Sequence, residues 1–371
     1  MKFTDLRRKD QLLHEVIIVL TLLLVGVTVF LPSLKGDFIW DDNYFIADNQ
    51  LILDPRFLNK VLFVPFGGPD GFDENSLLLG RAVKFYRPLT SFSYWLDYKI
   101  WNLNPAGFHL TNIMINYLSS IILYYTLRRW QMSSLWAFFS SLLFTIFPSH
   151  FENVAWISGR TDLLCFLFGS LVFFFISLYF KKNKYFFLLI SSFLYLLSLL
   201  GKETSLMIPL IFFIAYWWIK KDIFKAFSRS LVFLPSLLIW FFLRNIALGS
   251  VDLELKKRTV ADFLATLGFY TSRTIFPFKL SLSVESQRVF ENKFYLIIGA
   301  IFMVMLFYSI VKVYYGWKNW TLISLFLNAY FWLLIPSILI IFLSSTVSFI
   351  AWRFLYFPSA VAILGIVTLI T

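Results

Sequence analysis

The feature that most constrains this chain is a series of long apolar runs without charge. Residues 16–34 contain no charged side chain, and a helix of that length, rising 1.5 Å per residue, can cross the hydrocarbon core of a bilayer, which is about 30 Å thick. Further charge-poor runs cover residues 107–127, 132–149, 163–180, 185–201, 204–219, 230–248, 294–311, 319–343 and 354–371. We therefore predict an all-α polytopic membrane protein with about 10–11 transmembrane helices.

Composition agrees with lipid as the solvent and excludes other classes of protein. Only 15% of the 371 residues are charged, whereas a soluble domain carries about 25%, so a soluble enzyme is excluded. The single cysteine, Cys165, excludes a disulfide framework and a thiolate metal cluster. The net charge of +12 comes from basic residues that flank apolar runs, so the predicted partner is the lipid bilayer and not nucleic acid.

Orientation follows from the connections between the runs, because short cytoplasmic connections are enriched in Lys and Arg. Every second connection in this chain is basic. That side carries 15 Lys and Arg, namely Lys2, Arg7, Arg8, Lys9, Arg128, Arg129, Lys181, Lys182, Lys184, Lys220, Lys221, Lys225, Arg229, Lys312 and Lys318. Its acids are Asp5, Asp10, Glu15 and Asp222. The N-terminus is therefore predicted to be cytoplasmic.

Two connections on the opposite, outer side are long, residues 35–106 and 249–293, and long connections are usually functional. Apolar residues of the first recur at helical spacing and predict a helix in the membrane interface: Leu89, Phe92, Leu96, Ile100 and Leu103. Residues 261–280 form either an eleventh span or another interfacial helix, and the charge count favours the latter. Residues 1–371 are predicted to form a single membrane domain that ends before a further span or a C-terminal region.

Two adjacent acids, Asp41 and Asp42, follow Trp40 shortly after the first apolar run. Carboxylates beside apolar neighbours can have a raised pKa, which is what a general base for a hydroxyl needs. The alternative is a solvated turn or a helix N-cap. This pair is our first candidate for catalysis, and the first outer connection is accordingly our candidate catalytic loop.

Four polar residues lie close together around the start of the fourth run: His150, Glu152, Arg160 and Asp162. They can form an ion-pair network, a metal site or a phosphate clamp, and a hydrogen-bonded structural cluster is the commonest such arrangement. A metal site usually needs three protein ligands, which these residues do not convincingly supply. We therefore predict neither a metal nor a cofactor.

The second run carries a polar stripe at helical spacing, formed by His109, Asn112, Asn116 and Ser119 or Ser120. Such a stripe faces protein or water rather than lipid, where it lines a cavity or joins helices by hydrogen bonds. An ion pair is the simple account of Lys202 and Glu203, between the fifth and sixth runs. Arg87 and Arg353 lie near headgroup depth and, with Arg160, are our candidates for holding a phosphate, the alternative being helix anchors.

An ordered set of short motifs resembles one family. The motifs are Trp40-Asp41-Asp42, Phe85-Tyr86-Arg87-Pro88-Leu89-Thr90-Ser91, Leu103-Asn104-Pro105, Gly107-Phe108-His109-Leu110-Thr111-Asn112, Pro148 with His150 and Glu152, Gly159-Arg160 with Asp162-Leu163-Leu164, Lys202-Glu203, and Arg353 with Leu355-Tyr356 and Pro358-Ser359. The set covers most of residues 38–360. It resembles the transmembrane O-mannosyltransferases that carry tetratricopeptide repeats.

The resemblance implies the glycosyltransferase superfamily C fold, an active site at the outer face, a polyprenyl-phosphate sugar as donor, and inversion at the sugar. It implies that Asp41 and Asp42 are the catalytic pair, of which we expect Asp41, next to apolar Trp40, to be the base. Supporting residues are expected at His109, Asn112, His150, Glu152, Asp162, Lys202 and Glu203. We expect mannose as the sugar and a protein Ser or Thr hydroxyl as acceptor. The alternatives are a glycan or lipid acceptor, a transporter, or an inactive scaffold.

The chain departs from the family's pattern at three positions. In the expected pattern His-Pro-x-His-Thr-Glu, Phe147 replaces the first His and Phe151 replaces Thr. Trp352 stands where Glu usually precedes the last Arg. The tetratricopeptide repeats do not occur in these 371 residues. High Phe, Ile and Lys content without repeats indicates a bacterial plasma membrane.

Overall fold

A computed structural model describes residues 2–68, 85–249, 258–278, 284–317, 320–343 and 349–370. Parts of both long connections, residues 69–84, 250–257 and 279–283, lie outside the described residues. The described chain is almost wholly helical, which confirms the all-α prediction. Two-residue strands β1 (Val284–Glu285) and β2 (Phe349–Ile350) pair antiparallel, with Val284 opposite Ile350.

The described residues form helices that follow the apolar runs of the sequence. In chain order they are α1 (Lys2–Phe30), α2 (Gln50–Leu53), α3 (Phe57–Lys60), α4 (Pro88–Trp101), α5 (Pro105–Arg129), α6 (Ser134–Thr145), α7 (Phe151–Val154), α8 (Arg160–Lys182), α9 (Phe186–Gly201), α10 (Ile208–Lys220), α11 (Ile223–Ser230), α12 (Leu234–Leu248), α13 (Val260–Ile275), α14 (Ser286–Phe290), α15 (Lys293–Tyr314), α16 (Trp320–Leu343) and α17 (Tyr356–Ile370). Short 3-10 turns connect several of them, at Leu31–Lys35, Pro148–His150, Ile157–Gly159, Glu203–Met207, Leu231–Phe233 and Trp352–Leu355.

Seven helical segments of the described chain are long and apolar enough to cross a membrane, so this is a multi-pass membrane protein. They are Leu12–Lys35, Pro105–Arg129, Ile157–Lys182, Ile223–Leu248, Lys293–Tyr314, Trp320–Phe342 and Trp352–Leu369. An eighth results if α6 and Pro148–Val154, which meet at a bend of 42°, form one span.

The prediction of 10–11 spans exceeds that number, because two predicted crossings fall on short helices. Helices α9 and α10 have 16 and 13 residues. They are shortened by the turn between them, where Lys202, Thr204 and Ser205 are buried in the protein. Helix α13 also has only 16 residues and is not among the segments that meet the length test.

Apolar side chains cover the outside of the helices, as lipid requires. On α12, for example, Leu238, Phe241 and Phe242 are all more than half exposed. The polar stripe of α5 points the other way: Asn112 and Asn116 are fully buried, as its spacing predicts. This inverted distribution places lipid, not water, around the helical body.

Buried polar groups join the helices at the centre. The amide of Asn116 donates to the Thr145 carbonyl at 3.2 Å and accepts from the Tyr356 hydroxyl at 2.7 Å, which links α5 to α6 and α17. Elsewhere α13 and α15 cross at two glycines, where a Cβ on Gly268 would lie 1.8 Å from the Tyr295 carbonyl oxygen. Small residues and interhelical hydrogen bonds are the usual means of helix association in a membrane.

Helix α4 forms where the sequence predicts it, with Pro88 in its first turn. Its apolar positions face outwards, since Leu96 and Ile100 are 40% and 65% exposed. Its polar positions Tyr94 and Asp97 are buried against the protein. The helix therefore places a charged side chain inside the molecule while it shows an apolar surface to its surroundings.

Candidate functional site

Segments far apart in the sequence converge beside the loop that follows α1. They are the residue before α4, helix α7, the turn before α10 and the turn before α17. Their ionisable side chains, together with one acid of the loop, form what we call the carboxylate–arginine cluster: Asp41, Arg87, Glu152, Glu203 and Arg353.

Asp42 is fully buried beside this cluster. One carboxylate oxygen accepts from the Ser158 backbone N–H at 2.8 Å and from the Ser158 hydroxyl, and the other accepts from the Ile39 N–H at 3.2 Å. Burial raises the pKa of Asp42 to about 6, although the three hydrogen bonds oppose that change. Its ionisation therefore falls close to neutral pH.

The backbone around the two acids is held in an uncommon shape. Trp40 has φ 47°, a left-handed conformation that is rare for a bulky residue, and its ring meets Trp156 edge-on with centroids 6.1 Å apart. Directly after Asp42, residues Asn43–Ala47 form a π-helical turn, a feature frequent at functional sites. Strained backbone persists only where its surroundings fix it, so the loop presents both acids in one arrangement.

Asp41 occupies a more open position than Asp42. Its side chain is partly exposed, and it makes no hydrogen bond or ion pair with any described residue. Burial raises its pKa, while the nearby charges of Arg353 and Arg87 lower it, and burial has the larger effect. Asp41 is thus an unengaged proton acceptor next to two cations.

Arg353 is only partly engaged by the protein. Its Nη1 donates to Glu152 Oε1 at 2.6 Å, and its backbone N–H donates to Glu152 Oε2 at 2.9 Å. Its Cζ lies 5.1 Å from the ring centroid of Trp156. The side chain is 32% exposed, and its Nε and Nη2 donate to no described residue. Arg353 therefore has N–H donors available for a ligand.

Arg87, the other arginine near Asp41, is held in a similar way. Its Nη2 donates to Glu203 Oε2 at 3.2 Å, and its Cζ lies 4.2 Å from the ring centroid of Phe85. Its Nε is buried without a hydrogen-bond partner among the described residues. A buried N–H without an acceptor lowers the stability of the fold. Arg87 therefore also has an N–H donor that a ligand can occupy.

The sequence makes Arg160 a candidate for holding a phosphate, but the structure encloses its side chain in protein. The side chain is fully buried at the start of α8. Its Nε donates to Asn112 Oδ1 and its Nη2 to the Phe108 carbonyl, both at 2.7 Å, and its Nη1 pairs with Asp97. All three of its nitrogens are occupied by protein groups. We call these residues, with Thr111, the Arg160 network.

Asp162 and Lys202 form a third ion pair behind the cluster. The Lys202 ammonium lies 2.6 and 2.7 Å from the two carboxylate oxygens of Asp162, and both side chains are almost fully buried. The ring of Phe354 separates this pair from Arg353, with Lys202 Nζ 4.8 Å and Arg353 Cζ 5.5 Å from its centroid. The predicted pairing of Lys202 with Glu203 does not form, because Glu203 is bound by Arg87.

The two histidines of the predicted site are enclosed by protein. His150 is fully buried, and its Nε2 lies 2.8 Å from the Ser359 hydroxyl. His109 is 4% exposed and packs against Gly36, where an added Cβ would lie 3.1 Å from its Nε2. Within the described ranges, no group of three or more His, Cys, Asp or Glu side chains is placed to hold a metal ion.

Sequence reasoning missed two residues that shape this region. Ser158 binds Asp42 from 116 residues away, and nothing in its local sequence indicates that contact. Asp97 partners Arg160, and a signal for it existed: it lies on the same face of α4 as Thr90 and Tyr94, opposite the apolar stripe. A charge on the polar side of such a helix predicts a buried partner.

Comparison with known proteins identifies relatives over part of the chain. It is 31% identical over 155 residues to protein O-mannosyl-transferase F38B6.6 of Caenorhabditis elegans, which covers 40% of this chain and 21% of that protein. It is 30% identical over 203 residues to human protein O-mannosyl-transferase TMTC4, and the aligned region covers 49% of this chain and 27% of that protein. It is 30% identical over 154 residues to mouse protein O-mannosyl-transferase TMTC2, and the aligned region covers 42% of this chain and 17% of that protein. The chain thus spans about a quarter or less of the length of these relatives.

No protein-family model matches the chain. Among solved structures, ArnT from Cupriavidus metallidurans bound to undecaprenyl phosphate aligns with 95% of this chain and 77% of its own, at 12% identity and a TM-score of 0.42. That score is too low to establish a shared fold. The sequence comparisons agree with the family that the motifs indicated: this chain is similar, over two fifths to one half of its length, to protein O-mannosyl-transferases.

Proposed function

We propose that this chain is a membrane glycosyltransferase of the glycosyltransferase superfamily C fold. It transfers a sugar, mannose in the first instance, from a polyprenyl-phosphate donor to a Ser or Thr hydroxyl of a protein, with inversion at the anomeric carbon. The observation that carries the proposal is the carboxylate–arginine cluster, in which the unengaged Asp41 lies beside two arginines with spare N–H donors. The similarity to protein O-mannosyl-transferases supports the same reaction.

Asp41 acts as the general base. It takes the proton of the acceptor hydroxyl while the oxygen attacks the anomeric carbon and the bond from that carbon to the donor phosphate breaks. A raised pKa makes the carboxylate a better proton acceptor than an ordinary aspartate. Asp42, fixed by Ser158 and Ile39, positions the loop and does not itself take the proton.

Arg353 and Arg87 hold the leaving polyprenyl phosphate. Both have N–H donors that no described residue occupies, and a guanidinium suits the bidentate binding of phosphate. Donors already in place where negative charge develops stabilise the transition state. Glu152 and Glu203 orient the two guanidinium groups through their ion pairs.

Arg160 has a structural role in this proposal and does not bind the phosphate. Its guanidinium is buried and committed to Asp97, Asn112 and the Phe108 carbonyl. Releasing it toward a ligand would leave Asp97 as an unpaired buried charge, which is costly. The Arg160 network instead fixes α4 and α5 against the start of α8.

For the topology we propose a cytoplasmic N-terminus, one membrane domain over residues 1–371, and a site on the outer face of a bacterial plasma membrane. Cysteines introduced at Asp48 and Asn183 test this, in a Cys165→Ser background. Both positions are exposed. An impermeant thiol reagent added outside intact cells should label Asp48→Cys and spare Asn183→Cys, and the reverse pattern would overturn the orientation.

The reaction is tested by offering the purified chain labelled polyprenyl-phosphate mannose, polyprenyl-phosphate glucose and sugar nucleotides. We expect consumption of the mannosyl lipid and transfer to a Ser- or Thr-containing peptide. Transfer to a glycan or lipid in place of the peptide would change the acceptor and keep the enzyme class. Consumption of none of the donors, by a chain shown to be folded, would refute the proposal.

A further inference from the structure

A polar cavity lies at the other end of α8 from the carboxylate–arginine cluster. Helix α8 has 23 residues, from Arg160 to Lys182, so its ends are roughly 33 Å apart at 1.5 Å per residue. That length matches the roughly 30 Å hydrocarbon core of a bilayer. The cavity, which lies beside Tyr179 and Asn183, is therefore at the opposite membrane surface.

The cavity measures about 360 Å³ and is strongly basic. This volume is at the small end of the range for ligand pockets, about 300–1,000 Å³. Three cations line it, Lys220, Lys225 and Arg229, together with Tyr179 and Tyr216. Such a lining fits a small group that carries negative charge and several oxygen acceptors.

The protein neutralises little of this positive charge. Of the three cations, Lys225 is paired with Asp222, at 3.0 Å between Nζ and Oδ2, and this pair is largely exposed and hence weak. No acid of the described chain lies within ion-pair distance of Lys220 or Arg229. The C-terminal ends of α8 and α10 offset part of the excess through their helix dipoles, which leaves a net positive cavity.

Arg229 has a donor that lacks an acceptor. Its Cζ stacks 4.0 Å from the ring centroid of Tyr185, which fixes the guanidinium plane. Its Nε is buried without a hydrogen-bond partner among the described residues. Buried N–H groups are nearly always satisfied in native proteins, so this nitrogen points to an acceptor that the described residues do not provide.

Helix α11, which carries Lys225 and Arg229, has the character of a helix that lies in the membrane surface. Its apolar side chains Phe224 and Phe227 are 85% and 61% exposed. A helix that combines exposed aromatic residues with basic ones rests at the boundary between headgroups and acyl chains. The cavity beside it therefore lies at the depth of lipid phosphates.

We infer that this cavity binds the phosphate of an anionic lipid headgroup. Charge selects the anion, the unsatisfied Arg229 Nε and the ammonium groups of Lys220 and Lys225 supply donors, and the exposed phenylalanines admit the acyl chains alongside. This site does not depend on the proposed transfer reaction, which takes place at the other end of α8.

The test measures lipid binding and not turnover. The full chain in neutral phosphatidylcholine nanodiscs is titrated with short-chain phosphatidylglycerol, with inorganic phosphate as a second arm, and unfolding temperature reports binding. We expect a saturable rise with the lipid and a much weaker response to inorganic phosphate. Equal affinity for inorganic phosphate would overturn the lipid assignment, and no saturable response to either would overturn the site.

Paired variants locate the effect. Lys220→Gln and Arg229→Gln should each weaken phosphatidylglycerol binding roughly tenfold, the size expected for one charge-assisted hydrogen bond. The matched control is Lys181→Gln with Lys184→Gln, which removes two exposed cations nearby that do not line the cavity. If the control weakens binding as much, the attraction is diffuse and the site is refuted. Lys220 is exposed and has no ion-pair partner among the described residues, so its variant keeps the test valid if Arg229→Gln does not fold.

Discussion

The sequence makes both Arg160 and Arg353 candidates for holding a phosphate, but the surroundings of the two side chains differ. Arg160 is fully buried, and every nitrogen of its guanidinium is bound by the protein. Arg353 is about one third exposed, with one nitrogen bound to Glu152. A guanidinium whose donors are all occupied stabilises a fold, and one with unused donors can bind a ligand. This difference distinguishes the Arg160 network, which is structural, from the candidate phosphate site at Arg353.

The largest expected effect comes from removing the buried arginine. Arg160→Ala leaves Asp97 without its partner, and breaking a buried ion pair costs about 3–5 kcal/mol of unfolding free energy. Thermal unfolding in detergent measures the loss. The matched control is Arg56→Ala, because Arg56 is exposed and surface changes stay within about 0.5 kcal/mol. If Arg160→Ala has normal stability but no longer binds the donor, then Arg160 binds the ligand and its assignment as a structural residue is wrong.

The next effect separates the two acids. Asp41→Asn should lower kcat by about 10²–10⁴-fold, since the amide keeps the shape but cannot take the proton. Asp42→Asn should retain measurable turnover, because Asp42 is enclosed by Ser158 and Ile39. Single-turnover assays with saturating donor give both values, and Asp48→Asn, an exposed acid on the same loop, should be unaffected. An inactive Asp42→Asn beside an active Asp41→Asn would exchange the two roles.

A smaller effect is expected on donor affinity. Arg353→Gln keeps an N–H for Glu152 and removes the spare donors, so the Kd for the lipid donor should rise about tenfold, with turnover at saturating donor less affected. Arg353→Lys should recover part of the affinity, because it restores the charge but not the planar fork. Unchanged affinity in both variants would remove Arg353 from the phosphate site.

The smallest effect concerns the dependence of stability on pH. The folded-state pKa of Asp42 is raised to about 6, so its contribution to stability is fully present below its ordinary pKa of about 4 and is lost as the pH rises through about 6. Ser158→Ala removes a hydrogen bond that lowers this pKa, so the pKa should rise further and more stability should be lost near neutral pH.

Unfolding temperatures at pH 5 and pH 8 test this linkage. Ser158→Ala should differ little from the unaltered chain at pH 5 and should unfold at a lower temperature at pH 8, by about 2–4 °C for a loss near 1 kcal/mol. Ser158→Thr, which retains the hydroxyl, is the control. An equal difference at both pH values would mean that Ser158 contributes only packing.

The sequence was sufficient for features set by local pattern. Runs without charge located the helices, and the polar stripe of α5 predicted a face turned away from lipid, toward protein or water, where the structure buries Asn112 and Asn116 in protein. The sequence counts α9 and α10 as crossings, but a run's length does not reveal that Lys202 and its neighbours form a buried turn, which makes the helices on both sides shorter than a usual membrane span.

The candidate site could be predicted only as a set of residue types. Asp41 and Asp42 are adjacent and chemically identical, and their different surroundings arise from contacts with residues more than one hundred positions away, such as Ser158. The surroundings of Arg160 likewise depend on residues of other helices, Asp97 and Asn112. The helical pattern of α4 indicates that Asp97 is buried, but a single sequence does not identify its partner.

The pairing of Glu152 with Arg353 joins residues 201 positions apart. A ribosome adding about 5–20 residues per second takes roughly 10–40 s to cover that separation. During this interval the N-terminal helices are already in the bilayer while the acidic side chain still lacks its cation. The carboxylate–arginine cluster is thus completed only after the segment that carries Arg353 has been synthesised, well after the segment that carries Glu152.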